Sequence, residues 1–451
     1  MKLLTLVLML SGLSFGAKDL KGHLGDEEFN DLSDIVKARY FRVLTTRSSF
    51  DYYIYQGKHY GYQYELIKEF TKELNRRYVK KGELKIQFEL IPVDYDQLIP
   101  MLLEGKGDII AANLTIKPSR QEQVAFSRAL REVRELLVTR KDLKEQSPFK
   151  EKIAVRRSSS YYQSIKSWNR THKEDFFLID DVNEDLGPED VLDLLSKKKY
   201  DYTLVDSNIY EVASKVYPNL ILSKTQPFKS KKAKIALAVR KGSKKLLDAI
   251  NKFIPKIEKG SYLGNVINQK YFNDSLYVTN QNTDQTKISP YDNLLKKYAK
   301  KYNWDWKLLA SLAFQESRFN ASIVNRWGAI GLFQIKQSTA NEPYVNIKRI
   351  RGKSNVENNI HAGVKYLSWL RDTYFKKLPK QKQIRMALAA YNAGPGRLSR
   401  ARKLAKKMGL NPNIWFRNVE LALVKMRKIE PVNYVSEINK RYVGYTLLLQ
   451  D

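Results

Sequence analysis

Residues 273–289, NDSLYVTNQNTDQTKIS, interrupt every hydrophobic period in the chain. The stretch is polar, aperiodic and lies between two strongly patterned regions, the composition of a linker. One hydrophobic core cannot run through it. The 451 residues therefore predict two folded parts, 39–272 and 290–451, each long enough for its own core. Before the break, β-rich runs such as FRVLTT, LKIQFELIPV, GDIIAAN, EKIAVRR and YDYTLVD alternate with the helical patterns YELIKEFTKELNRRY and YDQLIPMLLEG. That alternation predicts an α/β architecture with largely parallel sheets. From Pro290 onward the pattern is helical throughout, with no strand evident.

The N-terminus places the chain. MKLLTLVLMLSGLSFGAKD carries a basic residue, an apolar run and then small residues at Ser14, Gly16 and Ala17. This is the layout of a secretory signal peptide spanning residues 1–17. The chain has no cysteine, so it has neither a disulfide nor a cysteine to lipidate. An exported, cysteine-free chain fits a bacterial periplasm. The formal net charge of +32 favours an acidic partner, such as a cell-wall polymer or an anionic outer-membrane surface. Export argues against nucleic acid as that partner. With four histidines and no His/Asp/Glu group at ligand spacing, the sequence predicts no metal and no cofactor.

The chemistry gathers in the C-terminal part. In LLASLAFQESRFN, Leu309, Leu312 and Ala313 recur along one helical face, and the next position on that face is Glu316. A carboxyl group on an apolar face is desolvated, which raises its pKa and suits it to donate a proton near neutrality. The alternative is an ion pair with Arg318 or a nearby lysine at the rim of the core. Downstream, WGAIGLFQIKQSTA sets Gly328 and Gly331 around a bend ahead of Gln334. NNIHAGVKYLSWL carries Asn359, Gly363, Tyr366 and Leu367 on a helix, and a glycine inside a helix implies close packing there. MALAAYNAGPGRL brings Tyr391 and Asn392 to a helix end at Gly394–Pro395. Asp372 and Glu357 fall on polar helical faces and read as solvated.

The motifs ESRFN, GAIGLFQIKQSTA, NIHAGVKYL and AYNAGPG, in this order and with the tail EPVNYVSEINKRYVGY, resemble the lytic transglycosylase catalytic domain. Phe333 stands where that family more often has methionine. The resemblance implies a mainly α, lysozyme-like fold over 290–451 and a cleft that takes peptidoglycan glycan strands. It implies Glu316 as catalytic acid/base, with Gln334, Tyr391, Asn392 and Tyr434 lining the cleft. The implied reaction cleaves the MurNAc–GlcNAc bond without water and leaves a 1,6-anhydro end. Two other readings stay open. One is a lysozyme-type hydrolase. The other is a non-enzymatic receptor whose helical part only binds cell wall.

NLTIKPSRQEQVAFS, residues 113–127, resembles the signature of family-3 periplasmic solute-binding proteins. Lys117 replaces that family's second turn threonine, and GYQYEL stands in place of its usual acidic segment. The resemblance implies a bilobed, periplasmic-binding-protein-like domain over 39–272 that binds an amino acid or a stem peptide. Thr115 and Arg120 would take the α-carboxylate, with Ser160 at a helix N-terminus beside them and Asp206 on the α-amine. A solute-binding domain followed by a transglycosylase domain resembles enzymes held peripherally at the outer membrane.

Overall fold

A computed structural model describes residues 27–273 and 287–449, apart from residues 49, 144–145 and 230–231. The expected signal peptide and most of the expected linker lie outside the described residues. The chain divides into two compact units, one formed mainly by residues before 274 and the other by Lys287–Thr446.

The first unit holds two sheets. In one, strands Gln87–Pro92, Tyr40–Thr45, Ile109–Ile110, Ala238–Arg240 and Val124–Phe126 lie side by side in that order. In the other, the order is Leu220–Leu222, Arg131–Arg140, Tyr202–Asp206, Lys152–Arg156 and Leu178–Val182, and Lys232–Ile235 also pairs with Arg131–Arg140. The chain leaves the first sheet after Phe126, builds the second, and returns through Lys232–Ile235 into Ala238–Arg240. Two crossings therefore join two lobes, the topology of a hinged clamshell.

The sheets are mixed, which corrects the expectation of largely parallel ones. Tyr40–Thr45 runs parallel to both neighbours, but Ala238–Arg240 is antiparallel to both of its own. Arg131–Arg140 is antiparallel to each of its three partners. This ten-residue strand has charges at its solvent-facing start and then six consecutive buried positions, so no single period marks it.

The first lobe is pinned by a buried charge cluster. Asp108, fully buried, takes hydrogen bonds from Arg42 Nη2 at 3.1 Å and Arg240 Nη2 at 3.2 Å, and its other oxygen takes the Arg42 amide at 2.9 Å. Helix Tyr62–Tyr78 covers the sheet with Leu66, Ile67, Phe70 and Leu74. The Phe70 ring packs edge-on to Phe41 at 6.2 Å.

The second unit is built on helices, the principal ones being Asp292–Tyr302, Trp306–Ser317, Val356–Tyr374, Lys380–Ala393, Pro395–Lys407 and Glu430–Leu448. One short antiparallel hairpin, Ala329–Ile330 with Ile335–Lys336, departs from the all-helical expectation. Helix Trp306–Ser317 is central. Its buried residues Leu308, Leu309, Ala310, Ser311, Leu312 and Ala313 are consecutive, so it is covered all round, not along one stripe. Asp305 caps its start by accepting from the Lys307 amide at 2.8 Å, and Tyr442 fixes that carboxylate from the other side at 2.7 Å. Arg318, in the left-handed conformation, ends it.

Candidate functional site

Glu316 sits on the last turn of this buried helix. Burial pushes its carboxyl up to about 7, a hydrogen bond donated by Tyr434 opposes the shift, and the charge of Glu430 adds to it. The unsatisfied carbonyls of the helix C-terminus act in the same raising direction. No ion pair holds Glu316 among the described residues, so the pairing with Arg318 or a lysine is not formed there. Arg318 is exposed. Arg318 and Phe319, directly after the carboxylate, have φ of 52° and 62°, and Gln334 has 43°. Non-glycine residues seldom adopt these values, and such strain persists only where the surroundings enforce it.

The surroundings are close-packed glycine contacts. A Cβ on Gly363 would lie 2.4 Å from the Phe333 Cβ, so only glycine lets helix Val356–Tyr374 meet the hairpin here. At Gly331, with φ of 70°, a Cβ would lie 2.7 Å from the Asn359 amide. That amide, 2% exposed, locks the hairpin: its oxygen accepts from the Phe333 amide at 3.0 Å and its nitrogen donates to the Ile330 carbonyl at 2.9 Å. Tyr391 then donates its hydroxyl to the Phe333 carbonyl at 2.7 Å. Burial and then the Glu316 charge push the phenols of Tyr391 and Tyr434 well above their ordinary range, so both remain neutral donors.

The structure thus brings Glu316, Tyr391 and Tyr434 together. Gln334 lies on the adjoining hairpin with its side-chain nitrogen turned back on its own loop, donating to the Gly331 carbonyl at 2.9 Å. Asn392 is half-buried beside Tyr391 near the helix end, which Gly394 caps with φ of 80°. The sequence puts Asn359 on helix Val356–Tyr374 but gives it no role. Its signal was a polar residue one turn before Gly363 on an otherwise apolar face.

In the first unit, Thr115, Ser160 and Asp206 line one narrow cavity together with Asp51, Asn113 and Arg156. Thr115 Oγ1 donates to Ser160 Oγ at 3.4 Å, and Asn113 Nδ2 donates to Asp206 at 2.7 Å. Ser159 caps helix Ser160–Thr171, as the expected helix N-terminus requires. Arg120 is placed differently from the expectation. Its guanidinium donates to the Thr115 carbonyl at 2.9 Å and the Ser158 carbonyl at 3.0 Å, and it does not line the cavity.

Burial pushes Asp206 up to about 7, with the Glu135 charge adding to this, and Asp51 up to about 6. Glu189, on an adjoining cavity, goes up to about 8 through burial, and neither of its carboxylate oxygens has a hydrogen-bond partner. Asp51, Glu189 and Arg156 carried no functional signal at the sequence level.

Family models divide the chain as its two folds do. The model for bacterial extracellular solute-binding proteins, family 3, matches residues 41–274, and that for the transglycosylase SLT domain matches residues 293–413. The membrane-bound lytic murein transglycosylase F of Shewanella halifaxensis is 30% identical over 410 residues, covering 85% of this chain and 80% of its own.

The chain belongs to the membrane-bound lytic murein transglycosylase F family.

The family's protein from Desulfosudis oleivorans is 29% identical over 83% of this chain and 80% of its own. Among solved structures, an ancestral arginine-binding protein bound to arginine aligns at 24% identity with a TM-score of 0.42, covering 52% of this chain and 98% of that one. Like its lytic murein transglycosylase F relatives, this chain is an enzyme that carries out a lytic-transglycosylase-type reaction on peptidoglycan. Among the described residues, no helix is long and apolar enough to cross a membrane.

Proposed function

We propose that the enzyme cleaves the β-1,4 bond between N-acetylmuramic acid and N-acetylglucosamine with Glu316 as its one acid/base. The observation that carries this is a carboxyl held up to about 7, with two neutral phenols beside it and no ion-pair partner among the described residues. Protonated Glu316 gives its proton to the bridging oxygen as the bond from muramic C1 breaks. The ionised carboxylate then takes the proton of the muramic C6 hydroxyl as O6 bonds to C1. The leaving sugar departs with a free 4-hydroxyl, no water is consumed, and the muramic end is a 1,6-anhydro ring. Retaining and inverting hydrolases ordinarily need a second carboxylate as nucleophile or base; here the nucleophile is part of the substrate. Tyr434 stabilises the ionised form of Glu316 in the second half of the reaction. Gln334, Tyr391 and Asn392 line the sugar cleft.

Mass spectrometry of products from purified sacculi tests the reading. Wild-type ends should be lighter by one water than lysozyme products, and Glu316→Gln should release none. Reducing muramic ends as the main product would make the enzyme a hydrolase.

The first unit, in the same proposal, is a non-catalytic domain that binds an amino acid or a short peptide between its lobes. The placement of Thr115, Ser160 and Asp206 on one cavity supports this. The basic, apolar and small-residue layout of the N-terminus supports export to the periplasm, with peripheral attachment at the outer membrane.

A further inference from the structure

Arg441 follows Tyr434 by two turns of helix Glu430–Leu448 and is 8% exposed. At that spacing the two side chains leave the helix on one face. The face meets helix Trp306–Ser317 at its catalytic end. Tyr434 donates to Glu316, and Arg441 Nη1 donates to Oε1 of Gln315, the preceding residue, at 3.2 Å. The Arg441 guanidinium also lies over the Phe314 ring, its carbon 4.4 Å from the centroid. Tyr442, next in sequence, holds the Asp305 cap at the other end of the same helix. Arg441 thus touches the two residues before the catalytic carboxyl and, among the described residues, forms no ion pair with the carboxyl itself.

Packing alone does not explain an arginine here. Its other partners lie on its own helix: the Glu437 carbonyl at 3.3 Å and the Glu437 carboxylate at 4.0 Å. Its Nε is buried without a hydrogen-bond partner. An apolar side chain would cover Phe314 without burying a charge or leaving that donor unsatisfied. It would not hold Gln315. A guanidinium is flat on Phe314 and presents its edge to Gln315, so one rigid group restrains the turn in two directions. That turn needs restraint. It is the last of the helix, where backbone carbonyls lack intrahelical partners, and it runs directly into Arg318 and Phe319 in the left-handed region.

We infer that Arg441 is a positioning residue for Glu316: it clamps the last turn of helix Trp306–Ser317 through Phe314 and Gln315, and so sets the separation at which the Tyr434 hydroxyl meets the carboxylate. This rests on the reading of Glu316 as the acid/base. The titratable groups facing Glu316 are Tyr434 and Glu430 from the same helix as Arg441, and Tyr391 from helix Lys380–Ala393. An Arg441 substitution leaves all three in the chain.

The test is the pH profile of kcat and KM on soluble glycan strands, with the full chain and quantified product ends. Arg441→Met should lower kcat about tenfold with KM little changed, because the acid is misplaced and the sugar contacts are not. Its alkaline limb of kcat/KM should move upward, by less than that of Tyr434→Phe, as the Tyr434 hydrogen bond loosens. Gln315→Leu, which removes no charge, should move the limb the same way. Arg441→Lys, which keeps a donor for Gln315 without the planar stack, should fall between Arg441→Met and the wild type. In a Tyr434→Phe background, Arg441→Met should no longer move the limb, since no hydroxyl remains to be placed.

The last comparison separates positioning from charge. Losing a nearby positive charge would also raise the limb, but with or without the Tyr434 hydroxyl. A shift that persists in full in the Tyr434→Phe background would therefore overturn the inference. So would Arg441→Met and Gln315→Leu variants that melt lower than the wild type yet keep its limb and kcat, the signature of a structural contact. Should Arg441→Met fail to fold, Gln315→Leu and Arg441→Lys carry the same comparison. Wild-type activity in Glu316→Gln would instead overturn the acid/base reading beneath it.

Discussion

Replacing Tyr434 with phenylalanine removes one hydroxyl from a buried side chain and nothing else from the contact with Glu316. In the native site two effects oppose each other on that carboxyl: burial raises its pKa, and the Tyr434 hydrogen bond, which favours the ionised form, lowers it. The balance lies at about 7. A hydrogen bond to a charged group contributes about 1.5–3 kcal/mol, and one pKa unit corresponds to about 1.4 kcal/mol. Deleting it should therefore raise the Glu316 pKa by about 1–2 units. A general acid must be protonated in the free enzyme, so activity falls as pH rises through that pKa. The alkaline limb of kcat/KM against pH, measured on soluble glycan strands with quantification of product ends, should move upward by the same 1–2 units, roughly. The plateau will also drop, since an orienting group is lost, and so the midpoint of the limb is the quantity to read. A limb that stays in place or moves down would show that Glu316 is not the titrating acid or that Tyr434 does not favour its ionised form.

Glu316 should also cost stability where it is ionised. Its folded pKa, about 7, lies above the ordinary 4.5, so its protonated form is preferred by the fold. Below the unfolded value both states are protonated and there is no cost; between the two values the unfolded state ionises first and stability falls as pH rises, by at most about 3 kcal/mol. Glu316→Gln should accordingly melt higher than the wild type at pH 8, with the difference vanishing near pH 4. Gly363→Ala places a Cβ 2.4 Å from that of Phe333. Overpacking of about 1–3 kcal/mol is expected in denaturant titration, together with a fall in kcat as the Phe333 carbonyl moves away from Tyr391. Asp108→Asn leaves Arg42 and Arg240 short of their countercharge and should destabilise the first unit by about 3–5 kcal/mol, without altering product chemistry.

The sequence carried the two-part organisation and the helical character of the second part, because both are written in periodicity. Glu316 was legible because it breaks an apolar face, and Tyr391 because Gly394–Pro395 marks the helix end that presents it. The mixed strand directions were not legible. Arg131–Arg140 runs against its partners because the chain crosses between lobes there, a tertiary fact with no local signal. The two-residue strands of the hairpin are too short for any period to register. Arg120 could not be placed by composition. It is an arginine beside a polar turn, and only the positions of the Thr115 and Ser158 carbonyls show that its donors are already occupied.

The return strand Ala238–Arg240 gives the first unit an order of assembly. It lies inside the first sheet, between Ile109–Ile110 and Val124–Phe126, yet it follows the whole of the second sheet in sequence. During synthesis from the N-terminus, the strands of the second lobe emerge as one continuous run, from Arg131 to Ile235, and that lobe can close early. The first lobe has to wait with the edge of Ile109–Ile110 open until residue 238 arrives, and Asp108 waits across 132 residues for Arg240. Open edges and unpaired buried charges in a waiting intermediate invite aggregation and chaperone capture. The clamshell should therefore mature from its second lobe to its first, and a chain stopped just short of Ala238 should yield a closed second lobe attached to an unfinished, protease-sensitive first.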